Sequence, residues 1–540
     1  MVLFDVDDNK NMQNINCFVK DMKWERINLI VEGFLEKNET NDLEGYLVLK
    51  CKKSKKELAI AVDIIDNKFK VKINMMIING GYPLENGMWD ILLRIVENNE
   101  TSDLFLFYNN GSKEKNFANR YKYGKNRYVI YPSFESRYNN LCIDIIDYKV
   151  KKRKKRFSYK LLKKKLRKKI YRFTYHIFYK IFKQKSNHVL FASDTRSELS
   201  GNMKDIYEEI LERDMDLKCR FVFKKTNNIY RKIPDKFKLP YYLAISKYVF
   251  FDDYYPMINF LKFQNNKQLI QLWHAVGAFK TFGYSRIGKV GGPNPFSPNH
   301  RVYTKAIVSS KEVAKYYAEG FGMTEDKVFA TGIPRTDIFF NEEYKSNVKQ
   351  QLYKTYPMLK NKKIITFAPT FRGSGPKNAY YDYNMIDFDK LYEICGEEYC
   401  VIFKIHFLVR NQLEIPEQYK DKFIDMSSYR EINDLLFITD ILITDYSSTC
   451  FEFSLLNRPM IFFAYDLEDY ISKRDFYYEY ENFVPGKICR TFDEVIHSIK
   501  YEDFELDKVK KFRDKFFEHT DGKSTDRVID LVFGKKEGDN

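Results

Sequence analysis

The stretch from 440 to 466, DILITDYSSTCFEFSLLNRPMIFFAYD, decides the fold class of the larger part of the chain. It contains an apolar run (ILIT), a polar turn (DYSS), a segment with helical character from about Thr449, and a second apolar run (MIFF). Apolar runs that alternate with helices are typical of strands buried on both faces of a parallel sheet. About ten such runs follow residue 186, among them HVLFAS, YVFFDD, QLIQLWH, KIITFAPT and YCVIFKIH. We therefore predict an α/β fold with two Rossmann-like halves, 186–340 and 341–540, and a final helix that can return to the first half.

The preceding part of the chain has a different pattern. Short runs such as INLIVEGFL, GYLVLKC, ELAIAVDII and FKVKINMMI alternate apolar and polar residues and are separated by turn signals. This period is that of half-buried strands, and about seven of them predict a small β-sandwich at 1–150 that serves as an accessory domain.

A basic segment, 151–185, joins the two parts. It holds 17 of the 91 Lys and Arg residues and no Asp or Glu, while the rest of the chain has equal numbers of acidic and basic residues. Its apolar residues recur every three or four positions, which predicts a basic amphipathic helix; they are Leu162, Leu166, Ile170, Phe173, Ile177 and Ile181. We expect it to bind an anionic membrane surface through Lys163, Lys164, Lys165, Lys168 and Lys169. A linker helix packed on the next domain is the alternative, and no recognition motif supports a nucleic-acid partner.

Targeting signals are few. The N-terminus MVLFDVDDNKN has neither the basic nor the apolar region of a signal peptide, and no run approaches the ~18 apolar residues of a membrane span. We expect a peripheral protein on the cytoplasmic face of the membrane. The eight cysteines include no CxxC pair and are interpreted as reduced thiols without metal or disulfide chemistry.

Polar residues that follow buried strands are the candidates for chemistry, because ligands bind beyond the carboxyl ends of strands in doubly wound sheets. QLIQLWHAVGAFKTFG places His274 after a strand, in a loop that also offers Lys280; it is a general base or a structural histidine. KVFATGIPRTDIFF offers Arg335 as a phosphate clamp, with Asp337 capping the next helix; the alternative is an internal pair of the two.

Strand ends of the second half offer further cationic and hydroxyl groups. They are Arg372 in KIITFAPTFRGSG, Lys404 and His406 in YCVIFKIHFLVR, and Thr444, Asp445, Ser447 and Ser448 in ITDYSS. The ITDYSS residues form either a phosphate cradle at a helix N-terminus or a simple helix cap. Two strand-end histidines from opposite halves suit a group transfer that needs a base and a stabiliser of the leaving group.

One acidic pair stands apart from these candidates. Asp252 and Asp253 after YVFF are interpreted as a cap or turn, and phosphoryl transfer by cations and helix ends does not demand a metal.

Taken in order, WHAVGAFK, GIPRTD, APTFR, KIH, ITDYSSxxFEF, NRPxxFFxxD and DGKSTDRV resemble the motifs of the CDP-glycerol glycerophosphotransferase family over about 186–530. WHAVGAFK and GNMKDIYEE look most like its poly(ribitol-phosphate) polymerase branch. The resemblance implies a GT-B-like pair of domains, with the acceptor side in 186–340 and the CDP-polyol site in 341–540. It also implies transfer of glycerol phosphate or ribitol phosphate from CDP-glycerol or CDP-ribitol to a hydroxyl of an undecaprenyl-linked acceptor, with release of CMP and no required cofactor.

The same resemblance assigns roles to residues. His274 becomes the base and His406 stabilises the pyrophosphate or the leaving CMP, while Arg335, Thr444, Ser447 and Ser448 hold phosphates. Arg372, Lys404 and Asp445 are further substrate-binding candidates. The chain departs from the family pattern at Ala275, at Phe407 and in RDFY at 474–477, which bears on the acceptor site and the donor. The alternatives are a GT-B glycosyltransferase that uses a nucleotide sugar and a non-catalytic membrane-associated binding module.

Overall fold

The computed structural model describes residues 15–36, 43–97, 100–108, 118–123, 125–134, 139–149, 159–224, 233–289, 291–373, 375 and 378–534. These residues form two compact units, and the second contains most of 166–540. Among them, no helix is both long and apolar enough to cross a membrane.

The first unit is a ten-stranded sheet. Its strands are β1 (Asn16–Glu25), β2 (Asn28–Glu36), β3 (Leu43–Cys51), β4 (Glu57–Ile65), β5 (Lys68–Asn74), β6 (Gly87–Glu97), β7 (Glu100–Tyr108), β8 (Asn119–Tyr123), β9 (Asn126–Phe134) and β10 (Leu141–Tyr148). The order is β3-β4-β5-β2-β1-β7-β6-β10-β9-β8, and β3 also pairs with β6.

That last pairing closes seven strands into a ring, so the first unit is a single closed sheet and not the small β-sandwich that the sequence predicted. One edge of β6 pairs with β3, whereas the other edge is shared by β7 and β10. Alternating apolar residues specify a strand with one buried face, but they fit a barrel and a sandwich equally well. Closure depends on a pairing between strands distant in sequence.

Two segments from the later part of the chain, 282–302 and 318–324, belong to this first unit. Tyr284 and Ile287 lie in the same apolar core as the fully buried Trp89 and Tyr128. Glu319 accepts hydrogen bonds from Arg26 Nε at 2.7 Å and from Asn28 Nδ2 at 2.7 Å. The predicted boundary at residue 150 did not anticipate these insertions.

Helix α1 (Tyr159–Ile181) falls within the basic segment. Residues 151–158 and the side chain of Lys164 lie outside the described part of the chain. One face of the helix packs through aromatic contacts of Tyr171 with Phe260, Tyr175 with Phe263 and Phe178 with Tyr241. The apolar residues identified from the sequence are all on the exposed side, with Phe173 64% and Ile181 65% exposed. The helix thus packs on the following part of the chain, as the linker interpretation expects, but it does so through Tyr171, Tyr175 and Phe178 and leaves the apolar stripe exposed.

The second unit contains two parallel six-stranded sheets. The first sheet has the order β12-β11-β13-β14-β15-β16. Its elements are β11 (Lys185–Ala192), α2 (Asn202–Glu212), β12 (Lys218–Val222), α3 (Ile233–Ile245), β13 (Ser246–Phe251), β14 (Gln268–Gln271), β15 (Lys305–Ile307), α4 (Lys311–Phe321) and β16 (Val328–Phe329).

The second parallel sheet follows helix α5 (Glu342–Thr355) and has the order β19-β18-β17-β20-β21-β22. Its elements are β17 (Lys363–Phe367), α6 (Phe388–Cys395), β18 (Tyr399–Phe403), β19 (Phe423–Asp425), α7 (Ile432–Ile438), β20 (Ile441–Thr444), α8 (Thr449–Ser454), β21 (Met460–Phe463), α9 (Leu467–Lys473), α10 (Tyr480–Phe483), β22 (Lys487–Cys489) and α11 (Phe492–Lys500). Two helices, α12 (Leu506–Phe516) and α13 (Ser524–Phe533), are the last elements of the described residues.

The last helix returns to the first parallel sheet, as the sequence suggested. Asp337 accepts hydrogen bonds from the N–H groups of Ser524 at 2.9 Å and Thr525 at 2.8 Å, so it caps α13. The prediction that Asp337 caps the helix that follows it is therefore wrong, because Asn341 caps α5. The strand order of each sheet reverses beside its first strand, at β11/β13 and at β17/β20, which are the positions where ligands bind in such sheets.

Candidate active site

His274 lies in the loop after β14, beyond the carboxyl end of the sheet. Its side chain is 52% exposed, and its ring lies 4.4 Å from the ring of Trp273. An exposed imidazole at a strand end has the access that a general base needs.

Asp253 faces His274 from the end of the neighbouring strand β13. Its Oδ1 atom is 3.5 Å from His274 Nδ1 and accepts a hydrogen bond from Tyr254 N at 2.6 Å. Burial acts to raise the pKa of Asp253, but His274, the Tyr254 N–H and the Thr195 hydroxyl together hold that pKa below its ordinary value. An ionised carboxylate beside Nδ1 leaves Nε2 as the atom that takes a proton and stabilises the imidazolium that results.

The sequence interpretation of Asp252 and Asp253 as a turn missed this pairing. Asp252 forms an ion pair with Arg196, so only the second acid faces the histidine. The available signal was that the pair directly follows the apolar run YVFF, at a strand end like the other candidates.

His406 follows β18 and is held as a neutral imidazole. Burial, together with Lys280 and Lys404, lowers the pKa of His406 to about 4. Its Nδ1 accepts a hydrogen bond from Leu408 N at 3.2 Å, so the proton of the neutral ring is on Nε2. The ring lies between Phe371 at 5.0 Å and Phe407 at 4.6 Å, and Phe407 is 76% exposed. His406 therefore offers an N–H donor at the mouth of the second sheet.

Lys280 lies in the loop of His274, and its charge is one of the groups that lower the pKa of His406. Its segment pairs with 475–477, through Thr281 N to Asp475 O at 2.9 Å and Tyr477 N to Phe279 O at 3.0 Å. The amine lies 5.4 Å from the centre of the Tyr470 ring, and burial lowers its pKa to about 8, with Asp445 opposing that shift. No hydrogen-bond acceptor for Lys280 Nζ is found within the described residues. The sequence identified Lys280 but assigned it no role.

Arg335 extends from the short helical segment 334–340. Its guanidinium forms an ion pair with Glu452 of α8, and its backbone N–H donates to Asn202 Oδ1 at 3.0 Å. Arg335 Nε and Glu452 Oε2 are buried without hydrogen-bond partners among the described residues. Arg335 Nε–H is thus a donor without an acceptor among the described residues, and the prediction that Arg335 binds a phosphate stays a prediction.

Arg372 and Asp445 form a buried cluster. Arg372 is 6% exposed and donates to Asp445 Oδ2 at 2.8 Å, to Asp466 Oδ2 at 2.6 Å and to Asp466 Oδ1 at 2.9 Å. Asp445 also accepts from Thr370 N at 2.8 Å. Four tyrosine rings surround the guanidinium at 5.0–5.5 Å: Tyr381, Tyr446, Tyr465 and Tyr470. These contacts fix the loops after β17 and β20, and direct contact of either residue with substrate stays a prediction.

The remaining candidates divide by exposure. Thr444 is buried and donates to Ala368 O at 2.8 Å, and Lys404 Nζ donates to Ser427 O at 2.9 Å. Ser447 and Ser448 are partly exposed, and Ser447 Oγ accepts from Thr449 N at 3.3 Å. Of the ITDYSS residues, the two serines are therefore the ones that a ligand can reach. The described residues contain no cluster of three His, Cys, Asp or Glu side chains suited to a metal ion.

Comparison with known proteins identifies the class. A model of the family described as CDP-Glycerol:Poly(glycerophosphate) glycerophosphotransferase matches residues 173–534. The chain therefore belongs to this family and is a CDP-polyol phosphotransferase of teichoic acid biosynthesis.

Two relatives show which branch of the family the chain resembles. The teichoic acid ribitol-phosphate polymerase TarL of Staphylococcus aureus is 39% identical over 568 residues, covering 97% of this chain and 100% of that protein. The teichoic acid poly(ribitol-phosphate) polymerase of Bacillus spizizenii is 52% identical over 354 residues, which are 65% of this chain and 57% of that protein. The predicted resemblance to the family and to its poly(ribitol-phosphate) polymerase branch is confirmed.

A solved structure supports the fold. The structure of the wall teichoic acid polymerase TagF superposes with a TM-score of 0.56 at 22% identity, covering 70% of this chain and 98% of that one. The predicted α/β architecture of the GT-B-like type is confirmed at this level.

Proposed function

We propose that the chain transfers ribitol phosphate from CDP-ribitol to a terminal hydroxyl of an undecaprenyl-linked acceptor and releases CMP at the cytoplasmic surface of the membrane. The observation that carries this proposal is the pairing of an exposed imidazole, His274, with a carboxylate, Asp253, at the switch point of the first parallel sheet. The choice of ribitol rests on the names of the relatives in the polymerase branch.

His274 acts first on the acceptor. Its Nε2 takes the proton of the attacking hydroxyl, and the Asp253 carboxylate stabilises the imidazolium that forms. The hydroxyl oxygen then bonds to the phosphorus that carries the ribitol, and the bond from that phosphorus to the bridging oxygen breaks. CMP departs with the bonding electron pair.

The leaving group is stabilised by donors from the other loops. His406 presents a neutral Nε2–H, which can hydrogen bond to a phosphate oxygen, and Lys280 adds a positive charge beside it. We assign phosphate contacts to Ser447, Ser448 and Arg335, the latter on exchange of its Glu452 partner for the substrate. We assign four further residues to the same site: Arg372, Thr444, Asp445 and Lys404. The hydrogen bonds that they form in the structure fix the loops of the site. Preorganised donors of this kind supply much of the stabilisation in phosphoryl transfer.

Helix α1 brings the enzyme to its lipid-linked acceptor. Its exposed apolar stripe is flanked by exposed lysines, among them Lys163, Lys165, Lys168 and Lys169. Apolar burial in the interface and attraction to anionic headgroups add together in such a helix.

CMP release tests the proposal. Purified protein receives CDP-ribitol or CDP-glycerol separately, with a lipid-linked primer analogue. We expect CMP from CDP-ribitol, its loss in His274→Ala and His406→Ala, and full activity in His497→Ala, which changes an exposed histidine of α11. CMP release from CDP-glycerol alone would overturn the donor assignment. Release of a nucleoside diphosphate when a nucleotide sugar is offered instead would establish the glycosyltransferase alternative.

A further inference from the structure

The residue before His274 has an unusual backbone conformation. Trp273 has φ of 56°, in the left-handed region, and its side chain is buried. A bulky residue with this φ is an outlier, and such strain persists only where the surroundings impose it.

Two buried amide side chains hold the backbone of Trp273 from opposite sides. The N–H of Trp273 donates to Gln271 Oε1 at 2.9 Å, and its carbonyl oxygen accepts from Asn202 Nδ2 at 3.1 Å. Gln271 is 0% exposed and Asn202 is 2% exposed, so water does not compete for these hydrogen bonds. Both polar groups of the strained residue are therefore satisfied by side chains whose own positions are fixed by packing.

The free end of each amide binds a second part of the site. Asn202 Oδ1 accepts from Arg335 N at 3.0 Å, and Gln271 Nε2 donates to Asp253 O at 3.1 Å. The loop of His274 is thus tied to the backbone of the carboxylate it faces and to that of the arginine assigned to phosphate.

We propose that Asn202 and Gln271 are positioning residues that hold Trp273 in its left-handed conformation and so direct His274 toward Asp253 and the acceptor. The inference rests on the proposed function, in which His274 is the base. Relaxation of Trp273 to negative φ rotates the following residue, and displacement of a catalytic group by about 1 Å can cost ~10²-fold in rate. Neither amide touches the substrate in this assignment.

Partial substitutions separate the two ends of each amide. Asn202→Asp keeps the acceptor for Arg335 N but replaces the donor to Trp273, whereas Gln271→Glu keeps the acceptor for Trp273 N and loses the donor to Asp253. If the hydrogen bond to the Trp273 backbone sets the position of His274, Asn202→Asp and Asn202→Ala both lower kcat roughly 10- to 100-fold. KM for the donor stays within about twofold. Gln271→Glu then retains more activity than Gln271→Leu.

A matched control removes a buried hydrogen bond elsewhere. Thr366→Val deletes the hydroxyl contact of Thr366 with Thr439 at 2.6 Å, which is buried in the second sheet. We expect it to lower the melting temperature without changing kcat.

A measurement without substrate keeps the inference separate from the proposed activity. The chain has three tryptophans, so 5-fluorotryptophan labelling gives three ¹⁹F resonances, and Trp273→Phe assigns one of them. We expect Asn202→Ala to shift or broaden the Trp273 resonance while the other two stay in place, which also shows that the variant is folded. Failure of the wild type to release CMP would count against the proposed function and leave this readout intact.

Two results would overturn the inference. One is an unchanged Trp273 resonance in both Asn202→Ala and Gln271→Leu. The other is a loss of stability in these variants with wild-type kcat, which is the behaviour of purely structural amides.

Discussion

Gly277 lies against the ring of Phe451 so closely that a Cβ atom at Gly277 would be 2.1 Å from Phe451 Cε1. Gly277 belongs to the loop of His274, and Phe451 to helix α8 beside the second parallel sheet. The absence of a side chain at this position therefore allows the loop of the first sheet to lie flush on a helix of the second. Such close approach of backbone to ring is a position that only glycine fills.

We expect Gly277→Ala to displace the loop rather than the ring. Phe451 is fully buried and packs against Phe483, Phe512 and Phe516, so it has little room to move. The predicted effect is a ~10- to 100-fold loss of kcat with a lowered melting temperature. Steady-state CMP release and calorimetry measure both, and the double variant Gly277→Ala/Phe451→Leu should recover part of the loss. No recovery in the double variant would contradict the steric explanation.

Asp253→Asn should leave the fold intact and remove most of the activity. The amide is isosteric, but it cannot stabilise the imidazolium that forms on His274, and in comparable triads such a change costs ~10⁴-fold in kcat. We expect a loss of at least ~10²-fold in CMP release, with the affinity for CMP, measured by calorimetry, preserved. Asp252→Asn is the paired variant, because its carboxylate faces Arg196 instead. Equal losses in kcat for the two variants would contradict the assignment of Asp253.

The local patterns of the sequence predicted the parallel sheets and the two histidine loops, and there is a physical reason for this. Buried strands such as ILIT and polar strand ends such as those at His274 and His406 are properties of short segments, and the strand-end rule converts them into a site. What the sequence could not supply depends on contacts between distant segments. The pairing of β3 with β6 and the entry of 282–302 into the first unit are of this kind.

Side-chain roles show the same division. Arg372 looked like a free cation at a strand end, but Asp466 lies 94 positions away in sequence and occupies its donors. Asp253 looked like a turn residue because its partner His274 comes from the next strand. The apolar stripe of α1 was recognisable by its period, but which face of the helix packs is decided by Phe260 and Phe263 in a later loop.

Asp205 of α2 gives a prediction on stability. Burial and the neighbouring Asp337 and Glu208 raise the pKa of Asp205 to about 7, and its Oδ2 has no hydrogen-bond partner among the described residues. The folded state therefore holds this proton more tightly than the unfolded state, whose carboxyl has a pKa of ~4, and stability falls as pH rises from about 4 to 7. Asp205→Asn should stabilise the protein by on the order of 2–4 kcal/mol above pH 7.5 and by nothing near pH 4. Glu212→Gln, an exposed change on the same helix at a carboxylate that does not act on Asp205, is the control in urea unfolding across pH, and an equal gain in both variants would refute the explanation.

His406 predicts a pH dependence of the opposite sign. Its pKa of about 4 in the folded state is below the ordinary value of ~6.5, so the unfolded state binds the proton more readily. This imidazole therefore lowers stability as pH falls from about 6.5 to 4 and has no such effect at higher pH. We expect His406→Gln to flatten that decline in thermal melts, and to keep more activity than His406→Ala because the amide retains an N–H donor. A decline as steep as that of the wild type would show that the folded state protonates His406 normally.

Membrane binding provides the last prediction, because α1 exposes charge and apolar surface together. Neutralising Lys163, Lys164, Lys165, Lys168 and Lys169 to Gln removes ~1 kcal/mol of attraction per lysine at an anionic surface, and Phe173→Ser with Ile177→Ser removes apolar burial. We expect each set to reduce binding to phosphatidylglycerol vesicles at least tenfold by cosedimentation, and only the apolar set to affect what binding remains at high salt.

The control changes five exposed lysines elsewhere, Lys360, Lys420, Lys508, Lys510 and Lys511, and so matches the change in net charge. Turnover of a short water-soluble acceptor should be unchanged in all three proteins. Vesicle binding that falls equally in the control would assign the effect to net charge, and binding that survives both helix variants would remove α1 from the membrane contact.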